Sequence, residues 1–242
     1  MRFIILTAAY GEGHNAAARG LHAAFLELGA GSEIVDVFAM NGGAFYDRSR
    51  RDYLALINRA PKIWAFVFGL IHRFPIGEFS LPALGKMQAA LAALLAEKKP
   101  DAVISVYPVY GYLIEKLFPR RADRSFSFHT VVTDSITINS VWYRCASDTF
   151  LVPNEDTARV MRAAGFANEE VMRHDEFRHA LGPAVDFDFA SGVAGDLFDA
   201  RTERFIATHG HGEADAIEPD QTLDRGWRLV FSRIDHEKNP AR

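Results

Sequence analysis

Cysteine is almost absent: Cys145 stands alone among 242 residues. One thiol excludes an intrachain disulfide, leaves any Cys-based zinc site to be completed by other residue types, and fits a reducing compartment best. Long hydrophobic runs are also lacking. The longest candidate, Tyr53 to Ile71, is interrupted by Arg59, Pro61 and Lys62, which leaves nine uncharged residues from Ile63 to Ile71. A helix crossing a bilayer core of roughly 30 Å needs about 20 apolar residues. The amino terminus, MRFIILTAAYGEGH, has one early Arg and a short apolar run before glycine-rich sequence, so it is expected to be a first strand and neither a signal peptide nor an anchor. No strong charge of one sign is present overall: 27 Lys and Arg stand against 31 Asp and Glu, a net of -4. That balance argues against a nucleic-acid partner. The charge is uneven, however, with 18 basic and 15 acidic residues in 1–166 and 9 against 16 in 167–242.

What is present is ordinary globular material: 49% apolar residues, 24% charged and a mean hydropathy of -0.04. Disorder and collagen-like order are excluded. The length suits one large domain or one domain with an appendage, and is short for two full α/β domains. Along the chain, Phe3 to Leu6 is a short apolar run ended by small residues and glycines. Asn15 to Leu28 follows with Ala17, Leu21, Ala24, Phe25 and Leu28 at helical spacing, and Glu33 to Phe38 predicts a second strand. Beyond this βαβ unit the spacing predicts helix from Arg48 to Phe74 broken at Pro61, a helix from Leu81 to Lys98, a strand at Ala102 to Val106 and a helix from Val109 to Phe118. Then come a strand at Ser127 to Thr133, a loop to Ala146, a last strand at Thr149 to Val152 and a helix from Glu155 to Ala164 closed by Gly165. Alternating strands and helices of this kind mean an α/β fold with a doubly wound, mainly parallel sheet. The regularity fades near Phe166. A domain at 1–166 and an acidic tail at 167–242, weakly structured or partial, are the expected division.

The sharpest feature is Thr7-Ala8-Ala9-Tyr10-Gly11-Glu12-Gly13-His14-Asn15-Ala16-Ala17, a glycine-rich loop between the first strand and the first helix. Gly11 and Gly13 allow close backbone approach to a ligand, and free N–H groups at a helix start favour negative charge. At that end of the helix dipole His14 is favoured as neutral imidazole, the form a general base needs. A tight βα turn with a surface histidine accounts for the same residues without chemistry. Ala16 stands where a dinucleotide-binding G-x-G-x-x-G loop needs its third glycine, which makes a cofactor-dependent oxidoreductase a distant reading. Asp134 follows an apolar strand at the edge where doubly wound sheets bind ligands; it serves equally well as a strand-end loop cap. Tyr107-Pro108-Val109-Tyr110-Gly111 is placed to line the same crevice, and Trp142 and Tyr143 pack in an uncharged loop.

Tyr10 to Ala17 resembles the G-G-G-H-x-x-A-A loop of the diacylglycerol glycosyltransferases, the monogalactosyldiacylglycerol synthase and processive diacylglycerol glucosyltransferase group. Val131-Val132-Thr133-Asp134-Ser135-Ile136-Thr137-Ile138-Asn139-Ser140-Val141-Trp142-Tyr143 looks like that family's V-V-T-D-x-x-T-x-H-x-x-W, and Asp148 to Gly165 resembles the strand and helix closing its acceptor domain. The three blocks lie in order and cover roughly 1–166. The resemblance implies a GT-B glycosyltransferase whose Rossmann-like N-terminal half binds the lipid acceptor. It implies His14 as the base that activates the acceptor hydroxyl, and Gly11, Gly13, Asn15, Pro108, Asp134 and Trp142 as acceptor-binding residues. A UDP-sugar is the implied donor substrate, with no permanently bound cofactor. Two departures stand out: Asn139 replaces the family's usual His, and Glu12 replaces the loop's middle glycine, where its carboxylate could raise the pKa of His14.

Between Arg48 and Phe74, six basic residues and one acid alternate with a dense apolar and aromatic set. Arg48, Arg50, Arg51 and Lys62 with Trp64, Phe66 and Phe68 suit a segment lying in the headgroup region of an anionic membrane; a core helix with a solvated basic face is the plainer alternative. With the resemblance, this implies diacylglycerol and anionic lipids as partners and a peripheral place on the cytoplasmic, inner face of the membrane. In the tail, His209-Gly210-His211 with Glu213 and Asp215, and separately His174 and His179, are expected to hold no metal. The family's nucleotide-sugar half has no counterpart in the tail's pattern. The expectation is one of three things: a truncated gene product, an acceptor-binding subunit served by a separate donor-binding chain, or a domain turned into a non-catalytic lipid or membrane-surface binding protein.

Overall fold

The computed structural model describes residues 1–73, 82–134 and 138–174. Six strands, β1 (Arg2–Leu6), β2 (Gly31–Val35), β3 (Ala102–Ser105), β4 (Ser127–Val131), β5 (Thr149–Val152) and β6 (Val171–Arg173), form one sheet in the order β2-β1-β3-β4-β5-β6. Every pairing is parallel. The helices are α1 (Glu12–Glu27), α2 (Val37–Arg59), α3 (Pro61–Arg73), α4 (Pro82–Lys98), α5 (Val109–Leu117) and α6 (Glu155–Ala163). This is the doubly wound, Rossmann-like α/β fold expected from the sequence. The strand order reverses between β1 and β3, so the chain leaves those two strands in opposite directions and opens a crevice at their carboxyl ends.

The continuous apolar run of β1 reflects burial on both faces. Phe3 and Ile5 enter a core completed by Ala17, Ala18, Leu21 and Phe25 of α1, with Phe25 stacked on Phe3 at 4.3 Å. Ile4 and Leu6 enter the opposite core, which is built from Val37 and Phe38 of α2, Met87, Leu91 and Leu95 of α4, and Tyr110, Leu113 and Ile114 of α5. A third cluster joins Trp142 to Phe150, Val152 and the Ala158 and Met161 face of α6. Each large side chain so buried contributes about 1.5–3 kcal/mol from apolar transfer.

Several boundaries differ from the sequence reading. The first helix starts at Glu12, with Gly11 as its N-cap, so His14 lies in the first turn and not ahead of it. The second strand ends at Val35. Asp36, expected within it, instead caps α2 by accepting from the Ala39 N–H at 2.8 Å, and helix begins eleven residues ahead of the expected Arg48. That early part is bent at Gly43, whose φ of 52° suits glycine. The break at Pro61 is where it was expected, proline opening α3 as a first-turn residue. Gly165, with φ 103°, follows α6 as its left-handed terminator. Past Phe166 the sheet continues: β6 pairs Val171 with Phe150 and Arg173 with Val152. Three residues are too few to display a period, and the strand exists through its pairing with β5. The tail reading for 175–242, including His179, His209 and His211, lies outside the described residues, as does Phe74.

Candidate active site

The site is assembled where β1, β3 and β4 end. β1 runs into the turn Thr7 to Gly11, which α2 holds from the side: the Ala9 N–H donates to Asp36 Oδ2 at 3.1 Å and to Tyr46 Oη at 2.9 Å, and the Tyr46 hydroxyl donates to Asp36 Oδ2 at 2.9 Å. From α5 the Tyr110 hydroxyl donates to the Thr7 carbonyl at 2.8 Å and accepts from the Val37 N–H at 3.0 Å. The Thr7 hydroxyl donates to Asn15 Oδ1 at 3.0 Å. Asn15 thus fastens the first turn of α1 to the end of β1, a supporting role. Gly11 has extended backbone that any residue adopts. A Cβ at Gly13 would meet nothing within 4 Å, and one at Gly11 would meet only His14 Cδ2, at 4.0 Å. The loop therefore presents bare backbone to open space beside His14.

His14 is the centre of the arrangement. Its Nδ1 lies 2.8 Å from the Val106 carbonyl and 3.0 Å from Thr133 Oγ1. A carbonyl only accepts, so Nδ1 carries the proton and Nε2 the lone pair. Nε2 has no hydrogen-bond partner among the described residues. Burial of the ring lowers its pKa to about 4, and the bond to Val106 opposes this only in part. The imidazole is neutral at neutral pH, held from behind and bare in front. The expected effect of Glu12 is not found: Glu12 turns outward to pair with Arg19, which lowers its own pKa, and it does not contribute to the shift at His14.

Asp134 follows β4, directly after Thr133, whose hydroxyl reaches His14. Its Oδ2 accepts from the Trp142 indole N–H at 2.8 Å, and the Trp142 ring lies 6.0 Å from the imidazole. Burial raises the Asp134 carboxyl above its usual range, against the pull of Trp142 and the Asn139 backbone N–H. Trp142 itself is 1% exposed and acts here as the wall that orients Asp134. Pro108, the N-cap of α5, is half-buried and follows Tyr107, whose ring packs edge-on to His14 at 5.2 Å.

Asn139 is buried and structural. Its amide N–H donates to the Phe68 carbonyl at 3.0 Å while its Oδ1 accepts from the Val141 N–H at 3.1 Å. Beside it the Ser140 N–H donates to His72 Nδ1 at 3.2 Å and the Ser140 hydroxyl to the His72 carbonyl at 2.7 Å. These bonds dock α3 onto the site loop. The segment read as membrane-facing is thereby placed at the crevice: Trp64 and Phe68 turn inward, whereas Phe66 is 69% exposed and Arg48, Arg50, Arg51 and Lys62 are exposed. No single helix among the described residues is long and apolar enough to cross a membrane. Among the described residues no group of three or more His, Cys, Asp or Glu could hold a metal ion. Sequence reasoning assigned no role to Thr133, the Val106 carbonyl, Tyr10 or Tyr53. Thr133 was read only as the last residue of the strand ahead of Asp134 and a member of its block, and a carbonyl has no sequence signal.

A family model described as monogalactosyldiacylglycerol (MGDG) synthase matches residues 14–173, from the site histidine to the end of β6. The processive diacylglycerol beta-glucosyltransferase of Bacillus cytotoxicus is 24% identical over 172 residues, 71% of this chain and 43% of the relative. That of Bacillus mycoides is 22% identical over 193 residues, 77% of this chain and 49% of the relative. The chain spans less than half the length of these curated relatives. With the match running through β1's loop histidine, the Asp134 block and all the helices between, the chain belongs to the monogalactosyldiacylglycerol synthase family.

Proposed function

We propose that this chain is the acceptor-binding, membrane-associated part of a lipid glycosyltransferase that moves a hexose from a UDP-sugar to the hydroxyl of diacylglycerol. The observation that carries the reading is His14: a neutral imidazole with Nδ1 tied to Val106 and Thr133 and Nε2 bare at the topological switch point. In the reaction, the acceptor hydroxyl oxygen bonds to the anomeric carbon of the sugar as its proton passes to His14 Nε2. The bond from that carbon to the phosphate oxygen breaks, and UDP departs with the electron pair. The resulting imidazolium keeps its Nδ1–H bond to the Val106 carbonyl. Gly11 and Gly13 leave room for the glycerol.

The surface supports a peripheral membrane position on the inner leaflet. Ile63, Phe66 and Leu70 form an exposed apolar stripe on α3, and Met40, Phe45 and Leu54 are exposed on α2. Arg48, Arg50, Arg51 and Lys62 flank them, a composition suited to anionic headgroups. The reading calls for a nucleotide-sugar site, which a separate donor-binding chain would supply. The decisive experiment is transfer from radiolabelled UDP-glucose and UDP-galactose to diacylglycerol in anionic liposomes, with the purified chain alone and with lysate of its source added. Product that disappears in His14→Ala supports the reading. Lipid binding with no product under either condition leaves a non-catalytic lipid-binding protein instead.

A further inference from the structure

Two phenols beside the crevice make ring contacts only among the described residues. Tyr107, in the turn from β3 to α5, packs edge-on to His14 at 5.2 Å and stacks on Tyr10 at 5.6 Å. Tyr53, on α2, meets Tyr10 at 5.7 Å and backs onto Trp64 of α3 at 5.0 Å. The neighbouring tyrosines use their hydroxyls within the protein: Tyr10 with Ser49 Oγ at 2.6 Å, Tyr46 with Asp36, and Tyr110 with Thr7 and Val37. The hydroxyls of Tyr53 and Tyr107 make no hydrogen bond among the described residues and are not sealed from solvent. Tyr10 meets both rings, and Tyr107 lies against His14, so the two phenols belong to the aromatic cluster beside the site histidine.

The chemistry of that cluster and His14 is asymmetric. His14 supplies one acceptor, which suits a hydroxyl. The phenols supply donors, which suit oxygens that carry no hydrogen. Burial keeps both phenols protonated, raising them above the usual range, with the Asp134 charge adding at Tyr53. A diacylglycerol carries one free hydroxyl and two ester carbonyls, the complement of one acceptor and two donors. Resting on the acceptor-site reading above, we propose that Tyr53 and Tyr107 are specificity-determining residues that donate to the ester carbonyls of the lipid and so select diacyl over dialkyl glycerols. An ether analogue keeps the hydroxyl and the chains but loses the carbonyls, leaving both phenols without acceptors.

The test is equilibrium binding of short-chain dioctanoylglycerol and of the matching dioctyl ether to the intact chain, in wild type and in Tyr53→Phe, Tyr107→Phe and the double variant. Phenylalanine keeps the ring contacts, and thermal melts verify folding. Wild type is expected to bind the diester about tenfold tighter or more, and each single variant to lose roughly three- to fivefold for the diester with the ether unchanged, as expected for one neutral hydrogen bond. The double variant then binds both lipids alike. Equal binding of the two lipids by wild type, or equal weakening of both in the variants, overturns the proposal and leaves the acceptor site standing. Binding of neither lipid by wild type overturns the acceptor-site reading as well.

Discussion

His14 carries its proton on Nδ1 because the Val106 carbonyl 2.8 Å away can only accept, and burial takes its pKa to about 4. If it is the base, kcat/KM stays level as pH falls through the ordinary imidazole value of about 6.5 and declines only near 4. An inflection near 6.5 in the pH profile would contradict that role. The same shift acts on stability. The folded-state pKa lies below the unfolded one, so the folded chain binds fewer protons between about 4 and 6.5. Its contribution is complete above 6.5 and is lost as pH falls through the folded value, at most about 3 kcal/mol for one group. His129, lowered to about 4 by burial on β4, adds in the same direction. Denaturant titrations between pH 7 and 4 should therefore show a steep loss of stability that is shallower in His14→Gln. Thr133→Val removes one acceptor for Nδ1–H, 3.0 Å away. It is expected to reduce kcat about fivefold with KM unchanged, the worth of one hydrogen bond, and Thr133→Ser to restore it.

At the scale of elements, α3 has two apolar faces with different partners. Trp64, Val67, Phe68 and Ile71 turn toward the protein, half-buried, while Ile63, Phe66 and Leu70 remain exposed. Converting that exposed stripe to serines should leave the melting temperature nearly unchanged and cut partitioning onto anionic vesicles by about tenfold or more, since each buried apolar side chain is worth about 1.5–3 kcal/mol. Sedimentation with vesicles measures it, and unchanged partitioning would remove the membrane role of α3. α5 makes the opposite kind of contact. A Cβ on Gly111 would collide with the buried Sγ of Cys145, so the helix reaches the site loop only because that position is glycine. Gly111→Ala should cost about 1–3 kcal/mol by overpacking, and Cys145→Gly in the same chain should recover much of it. A double-mutant cycle in urea measures the coupling.

Across the whole molecule, the edge of the sheet opposite the crevice is secured by charge. Asp148, ahead of β5, accepts from Arg124 at 2.7 Å, from Arg121 at 2.7 Å and from the Phe128 N–H at 2.8 Å. The side chains of Arg124 and Asp148 are only 4% and 11% exposed. Arg124→Ala leaves Asp148 with Arg121 and the Phe128 N–H and should cost about 1.5–3 kcal/mol in thermal or urea unfolding, the worth of a hydrogen bond to a charged group.

The alternation of apolar runs and amphipathic segments, both local properties, made the order of strands and helices legible, and with it the crevice between β1 and β3. The loop Tyr10 to Ala17 marked His14 as the residue to watch. Boundaries set by single side-chain bonds were not legible: Asp36 reads as strand until its carboxylate is seen capping α2, and β6 exists only through its pairing with β5. The sequence by itself determined the α/β architecture, the histidine at a helix start and the aromatic, basic character of α2 and α3. Only the tertiary structure decided which nitrogen of His14 is bare, that Glu12 is turned away from it and that Tyr107 packs against its ring. The physical reason is separation along the chain: Val106 and Thr133 lie 92 and 119 residues from His14, and only the folded sheet brings their oxygens to one ring nitrogen.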